Sequence, residues 1–197
     1  MTDPGKYCRV ASHGIIIVQG WALFTNPATN YQAEWVLDIK AWVEANLQDR
    51  LHSDGLDAGL ELDNENIVLM GHSSGAHVVV EFMKHHCDLV RGQILFSPVD
   101  GVDPFGLIHN FAITPGQLLN YNVPSLLLMT GLDSVPGTIA GGFTPACAPE
   151  EMSNLRFYDA LPGTVWLVNA TKYGHGDVLD EFYYDAMEVE NPVGDSG

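Results

Sequence analysis

Residues 68–77 read V-L-M-G-H-S-S-G-A-H, an apolar run that leads into the pattern G-x-S-x-G. In this pattern the serine occupies a sharp strand-to-helix turn, and glycines two residues before and after it let backbone segments approach closely. Gly71 and Gly75 hold those positions, which makes Ser73 a candidate nucleophile. An ordinary strand-to-helix turn is the alternative. The flanks favour the nucleophile turn, because residues 65–70 have the pattern of a buried strand and residues 75–86 carry apolar side chains at helical spacing.

Composition and charge limit the classes of protein to consider. The chain has 197 residues, 46% of them hydrophobic, which is enough to bury one substantial core. We therefore expect a single domain over residues 1–197, with residues 189–197 forming a frayed acidic tail. The formal net charge of −17 argues against nucleic acid or an anionic membrane surface as a partner, because both would repel the chain.

Neither a metal site nor a membrane span is predicted. The three cysteines lack C-x-x-C spacing, which speaks against a zinc site and against a disulfide framework. Residues 1–6 lack the apolar stretch of a secretory signal, and no run approaches the roughly 18 apolar residues of a membrane helix. We expect a soluble chain without stable membrane insertion.

Short apolar strands alternate with amphipathic helices along the chain. Strands are predicted at residues 15–18, 65–70, 92–96, 124–129 and 164–168, and helices at residues 33–51, 75–86 and 178–187. This alternation predicts an α/β fold with a mostly parallel central sheet and helices on both faces. The segment at residues 97–122 is longer than most structureless connections, and we interpret it as a substrate-facing loop.

The candidate catalytic residues follow the ends of predicted strands, where ligands gather in parallel sheets. Ser73 comes first, Asp100 and Asp133 follow later strands, and His175 follows the last one. The order Ser, Asp, His is typical of α/β-hydrolases. A serine hydroxyl needs an imidazole to take its proton, and the imidazole needs a carboxylate to fix its tautomer.

His175 is the strongest candidate base among the eight histidines, because it lies in the Tyr-Gly-His-Gly-Asp loop directly after the last strand. A surface-loop histidine is the alternative. His72 is expected to pack beside the turn that holds the nucleophile. His77, His85 and His86 lie on the following helix and are interpreted as non-ligands, because adjacent helix positions point apart.

Four segments, in their order and spacing, resemble successive signatures of the chlorophyllases. They are G-H-S-S-G at residues 71–75, S-P-V-D-G at 97–101, P-A-C-A-P at 145–149 and Y-G-H-G-D-V-L-D at 173–180. Residues 11–18, A-S-H-G-I-I-I-V, are similar to a strand of that family. The resemblance implies an α/β-hydrolase fold and cleavage of the phytyl ester of chlorophyll to chlorophyllide and phytol, without a metal or organic cofactor. A plastid location would also follow only from the resemblance.

Two departures from the family pattern concern the site. The chain has Ser74 where the family has Arg, and Ser97 where the family has the first Asp of D-P-V-D-G. We favour Asp100, the second acid of that element, as the triad acid over Asp133, and Asp103 is a poorer candidate. For Asp100 and for Asp133 the alternative is a turn acid, since Asp before Gly or Ser commonly stabilises its own turn.

The oxyanion site is predicted to be incomplete. The backbone N–H of Ser74 supplies one donor, but the usual second donor comes from a loop after an earlier strand, and residues 13–14 precede their strand instead. We therefore expect an α/β-hydrolase that lacks its N-terminal strands. Phe105 and Phe143 are candidate walls for an apolar, chlorophyll-like ester.

Three functions remain open from the sequence. The first is a chlorophyllase-like serine esterase, and the second is a general carboxylesterase or lipase on the same scaffold. The third is a non-catalytic remnant of a hydrolase that binds a pigment or a protein.

Overall fold

The computed structural model describes residues 9–20, 29–101, 110–139, 142–152 and 154–177. Its centre is a sheet of four parallel strands, each short and rich in Val, Leu and Ile. The strands are β1 (Val68–His72), β2 (Gly92–Phe96), β3 (Ser125–Thr130) and β6 (Val165–Ala170). They lie in the order β1-β2-β3-β6, so the carboxyl ends of all four meet at one edge of the sheet.

Helices lie before β1, between β1 and β2, and between β3 and β6. The helical run before β1 consists of α1 (Thr29–Trp42), a π-helical turn (Val43–Leu47) and α2 (Gln48–Ser53). Helix α3 (Ser74–His86) follows β1, and α4 (Asn154–Ala160) precedes β6. A small antiparallel hairpin, β4 (Gly137–Ile139) and β5 (Gly142–Thr144), follows β3, and single 3-10 turns occupy Cys87–Leu89 and Glu150–Met152.

The hydrophobic core lies on one face of the sheet. Leu69, Leu95, Leu127 and Val165 share that face by register, and they pack with Val80 and other apolar residues of α3 and with α4. Helix α1 packs on the outside of α3. Because alternate residues of a strand point to opposite faces, the intervening side chains form the other face.

The opposite face is less covered in the described part of the chain. Its outer residues Val68, Met70, Trp166 and Val168 are all exposed, and Trp166 keeps 71% of its surface accessible. The prediction of helices on both faces is confirmed for the α3 face. The predicted helix at residues 178–187 and the predicted tail at residues 189–197 lie outside the described residues. No helix among the described residues is long and apolar enough to cross a membrane.

The predicted strands around residues 65–70, 92–96, 124–129 and 164–168 are confirmed, with boundaries shifted by three residues or fewer. The strand predicted at residues 15–18 is wrong: within the described residues this segment forms neither a helix nor a strand, and Ile15 is 53% exposed. β-branched residues favour extended backbone, but a strand also needs a partner for its hydrogen bonds. Helix α4 and the β4–β5 hairpin were not predicted, since both lie in stretches without clear periodicity.

Candidate active site

The turn between β1 and α3 has the geometry that the glycine spacing predicts. Ser73 has φ 56° and ψ −129°, a conformation that costs a non-glycine residue about 1–3 kcal/mol and is characteristic of functional turns. Its N–H donates to the carbonyl oxygen of Phe96 on β2, at 3.0 Å, and its carbonyl oxygen accepts from Ala76 and Val99. The Ser73 side chain does not cap the helix, so its hydroxyl is left available at the turn.

Gly71 allows this turn to close. A Cβ atom at this position would lie 2.4 Å from the carbonyl oxygen of Gly75, well inside any real contact distance. Gly75 does not share this constraint, because a Cβ built there meets no described atom within 4 Å. The close approach expected of both glycines is therefore confirmed for Gly71, and Gly75 contributes its carbonyl group to that contact.

Replacing Gly71 by Ala is expected to destabilise the chain by about 1–3 kcal/mol, because the obstructing atoms are backbone and cannot rotate away. Gly75→Ala is the matched control. It adds the same methyl group in open space within a helix, where Ala is favoured over Gly by up to about 1 kcal/mol. Urea unfolding of both variants measures the difference. Equal stability of the two variants would contradict the steric argument.

The loop after β6 brings an imidazole and a carboxylate together. His175 Nδ1 lies 2.7 Å from Asp133 Oδ1, and both side chains are almost fully buried. A ring nitrogen at this distance from a carboxylate donates its proton, which leaves Nε2 of a neutral ring as the acceptor. A buried His with this tautomer is suited to take a proton from a hydroxyl group.

Asp133 is held by the turn that ends β3. Its Oδ2 accepts the N–H of Thr130 at 3.3 Å, and its backbone carbonyl accepts the N–H of Ala148 at 3.0 Å. The neighbouring Gly131 lies so close to the loop after β6 that a Cβ atom there would be 2.4 Å from the carbonyl oxygen of Thr171. The turn after β3 and the loop carrying His175 are therefore packed together backbone to backbone.

The preference for Asp100 as the partner of His175 is wrong in this structure. The Asp100 carboxylate is fully buried elsewhere: Oδ1 lies 3.0 Å from His77 Nδ1, and Oδ2 lies 2.8 Å from Arg156 Nε. It also accepts the backbone N–H groups of Ala112 and Ile113, at 2.7 and 3.2 Å. With these partners Asp100 ties α3, α4 and the segment at residues 110–113 together.

The strand order supplies the physical reason. Asp133 follows β3, which pairs directly with β6, the strand that leads to His175. Asp100 follows β2, which lies one strand further from β6. Its backbone is bonded to a different segment, because the Asp100 N–H donates to the carbonyl oxygen of Met152 at 2.7 Å. The alternative acid named from the sequence, Asp133, is the one that lies beside the imidazole.

Ser97 and Ser74 occupy the two positions where the chain departs from the family pattern. Ser97 is fully buried, with φ 39°, and its hydroxyl lies 2.8 Å from that of Thr130. No carboxylate therefore stands at this position between β2 and β3. Ser74 is the first residue of α3, so its N–H lacks an acceptor within the helix and points out of the helix start. This is the geometry that an oxyanion donor needs.

His72 packs against the site, as the sequence predicts. Its Nε2 lies 3.0 Å from the carbonyl oxygen of His175, and the two imidazole rings are 4.8 Å apart. A carbonyl oxygen only accepts, so Nε2 of His72 carries a proton. Burial, and next the nearby His175, lower the pKa of His72 from 6.5 to about 4. His72 is therefore a neutral hydrogen-bond donor at neutral pH.

The depressed pKa of His72 predicts an acid-sensitive contribution to stability. The unfolded chain takes up a proton at His72 near pH 6.5, whereas the folded chain does so only near pH 4, so acidification favours unfolding in this window. Between pH 7 and pH 4 the wild type is expected to lose about 3 kcal/mol more than His72→Gln, which cannot titrate. Urea unfolding of both proteins at the two pH values measures the difference. An identical loss in both would refute the prediction.

The two predicted substrate-binding residues cannot be placed against the site. Phe105 lies outside the described residues, and of Phe143 the structure describes the backbone in β5 but not the side chain. Sequence reasoning did not predict that His77 and Arg156 are partners of the Asp100 carboxylate. The signal for His77 was its place among the apolar core-facing residues of α3, since a polar side chain buried there needs a partner. No group of three or more His, Cys, Asp or Glu side chains among the described residues is arranged to hold a metal ion.

A parallel sheet with a strained serine after β1 and a paired Asp and His after β3 and β6 defines the α/β-hydrolase fold. Within that class, the chain belongs to the chlorophyllase family, whose sequence profile matches residues 7–191. Family membership makes it a relative of ester hydrolases.

The chain is similar to curated chlorophyllases but much shorter. It is 28% identical to chlorophyllase type 0 of Chenopodium album over 192 residues, which are 91% of this chain and 52% of that protein. It is 25% identical to chlorophyllase-1 of Arabidopsis thaliana over 181 residues, or 88% of this chain and 53% of that protein. The chain thus spans about half the length of the curated relatives it matches.

Among solved structures, the chain is similar to a Bacillus cereus carboxylesterase, with a TM-score of 0.32 and 16% identity over 69% of this chain and 53% of that one. It is also similar to a serine hydrolase of Cycloclasticus zankles. There the TM-score is 0.37 and the identity 12%, over 87% of this chain and 73% of that one.

Proposed function

We propose that the chain is a chlorophyllase-like serine esterase that uses Ser73, His175 and Asp133. The observation that carries the proposal is the buried pair of His175 and Asp133 beside the strained turn of Ser73. His72, the residue before Ser73, touches His175 through its ring and its hydrogen bond, so the base lies against the end of the nucleophile's own strand. The similarity to chlorophyllases supports chlorophyll as the substrate.

The proposed reaction is two-step acyl transfer. His175 Nε2 takes the proton of the Ser73 hydroxyl, and the Ser73 oxygen attacks the carbonyl carbon of the ester. The carbon–oxygen bond to the alcohol breaks, and the alcohol, phytol in the proposed case, leaves with the proton that His175 returns. Water then repeats the sequence on the acyl-serine and frees the acid, chlorophyllide. No redox change occurs in either step.

Two groups stabilise the charges that develop. The negative oxygen of the tetrahedral intermediate lies toward the Ser74 N–H at the start of α3, where the helix dipole also favours negative charge. The positive charge on His175 is offset by Asp133, which holds Nδ1 at 2.7 Å. Asp133 need not accept the proton itself, because orienting the ring and offsetting its charge are sufficient.

A fluorophosphonate probe tests the serine, and pigment cleavage tests the substrate. The folded wild type is expected to be labelled, and Ser73→Ala and His175→Ala are not. Chlorophyll a is then offered in detergent micelles beside p-nitrophenyl butyrate, and chlorophyllide is measured by partition into aqueous acetone. Faster cleavage of chlorophyll supports the chlorophyllase-like activity, and cleavage of the short ester alone indicates a general carboxylesterase. A folded wild type that is not labelled overturns the esterase proposal and leaves a non-catalytic relative.

A further inference from the structure

We infer that His72 is a positioning residue: its Nε2–H, bonded to the backbone carbonyl of His175, holds the loop that carries the base against the strand that carries the nucleophile. The inference rests on the proposed function and adds to it a residue outside the triad. Contacts within the triad do not explain how His175, which follows β6, is held near Ser73, which follows β1.

The strands that precede the proposed nucleophile and the proposed base lie at opposite edges of the described sheet. Ser73 follows β1 and His175 follows β6, and the strand order puts β2 and β3 between them. With strands about 4.8 Å apart, the two strand ends are separated by about 14 Å. The loop at residues 171–177 must therefore cross the ends of two strands to bring the imidazole to the serine.

Several contacts fasten this loop to β3. Gly131 N–H donates to the carbonyl oxygen of Ala170, Leu132 N–H donates to that of Tyr173, and Asp133 holds the ring of His175. All three partners belong to the end of β3 and the turn after it. They fix the base near the middle of the sheet and do not reach β1.

The hydrogen bond of His72 spans the remaining gap. His72 is the last residue of β1, and its Nε2 reaches the carbonyl oxygen of His175 at 3.0 Å across 103 residues of sequence. The bond is made to the backbone of the base, so it sets the position of His175 without competing for its ring nitrogens. The Phe96 ring on β2 packs on that of His72 in a T-shaped arrangement, with ring centroids 5.8 Å apart, and supports the imidazole from that side.

The proposed reaction favours a neutral His72 beside the base. His175 becomes positively charged in each half of the proposed reaction, and its ring lies 4.8 Å from that of His72. A charged His72 would oppose this step by direct repulsion. The titratable groups that face His72 are His175 and Asp133, and with burial as the largest effect they leave the pKa of His72 at about 4. The positioning bond is therefore kept, and adds no charge, at neutral pH.

The test compares three replacements of His72 in the whole chain. His72→Gln keeps an N–H donor of similar reach, His72→Phe keeps the ring without the donor, and His72→Asn keeps a donor on a side chain too short to reach. We expect His72→Phe and His72→Asn to lower kcat about 10–100-fold with KM nearly unchanged, because a displacement of about 1 Å costs roughly that much. His72→Gln is expected to recover most of the loss. The exposed His85→Phe is the control and should behave as the wild type.

Each rate on p-nitrophenyl butyrate is divided by the fraction of chain that folds, measured by urea unfolding, so that a loss of fold is not counted as a loss of rate. Wild-type kcat in both His72→Phe and His72→Asn overturns the inference, and so does an equal loss in all three variants. If the wild type itself is inert, the proposed function fails separately. The inference is then measured by amide exchange at residues 171–177, which must be faster in His72→Phe than in the wild type to support it.

Discussion

Asp133→Asn is expected to lower kcat on an ester substrate by about 10⁴-fold, with KM and the fold nearly unchanged. An Asn side chain has nearly the shape of Asp but carries no charge, and its amide group can favour the wrong tautomer of His175. The ring nitrogen 2.7 Å away would then no longer be fixed as a donor, and Nε2 would no longer be fixed as the acceptor of the serine proton.

Asp100→Asn is the matched control, since the substitution is the same and both carboxylates are buried. Because Asp100 bonds to His77 and Arg156 and not to His175, its replacement should leave kcat per folded molecule within a few-fold of wild type. Steady-state kinetics at saturating substrate, corrected for the folded fraction, measures both variants. A larger loss of kcat in Asp100→Asn than in Asp133→Asn would reverse the assignment of the acid.

Asp100→Ala is expected to destabilise the chain by about 3–5 kcal/mol, because it removes the fully buried carboxylate of the ion pair with Arg156. It also removes the acceptor of two backbone N–H groups, those of Ala112 and Ile113. Arg156 also contacts the ring of Phe111, at 4.5 Å, and a ring carries no charge that could replace the carboxylate. The segment at residues 110–113 would lose its main attachment to α3.

Urea unfolding at pH 7 measures this loss against two other variants. Asp88→Ala removes an exposed carboxylate and is expected to change stability by less than about 0.5 kcal/mol. In the double variant Asp100→Leu with Arg156→Met both charges are replaced by apolar side chains, and part of the stability should return. If Asp100→Ala is as stable as Asp88→Ala, the buried cluster has no structural role.

The sequence predicted the parts of the site that depend on local geometry. The glycine at residue 71 and the apolar run before it indicated the strained turn, and Ser73 has the expected positive φ. The Tyr-Gly-His-Gly-Asp loop indicated His175, which the structure places beside a carboxylate and against the end of β1. The order of strands and helices likewise predicted the parallel sheet.

The choice between Asp100 and Asp133 depended on which strands are neighbours in the sheet. The sequence gives the order of strands along the chain, but not their order in space. Once β3 is known to pair with β6, the acid after β3 is the nearer one. The motif led to Asp100, because a retained acid in a recognised segment suggested a retained role, whereas its contacts tie it to the buried cluster.

The buried cluster itself could not be predicted from spacing. His77, Asp100 and Arg156 are far apart in sequence, and their partnership depends on how residues 97–101 and 110–113 pack against α3 and α4. The segment at residues 15–18 shows a second limit of prediction from sequence. Its local preference for extended backbone was clear, yet strand formation depends on a neighbour that local sequence does not specify.

The loop at residues 171–177 crosses the ends of the strands, so the proposed site depends on all four strands staying paired. The outer strands of the described sheet are β1, which precedes Ser73, and β6, which leads to His175. Strand β6 is largely open to solvent, since Trp166 is 71% exposed. Fraying of either strand is expected to separate the proposed base from the proposed nucleophile while β2 and β3 stay paired. As denaturant is added, serine labelling should therefore be lost at a lower concentration than the helical circular-dichroism signal. Inactivation would then report the unpairing of an outer strand and not the unfolding of the whole chain.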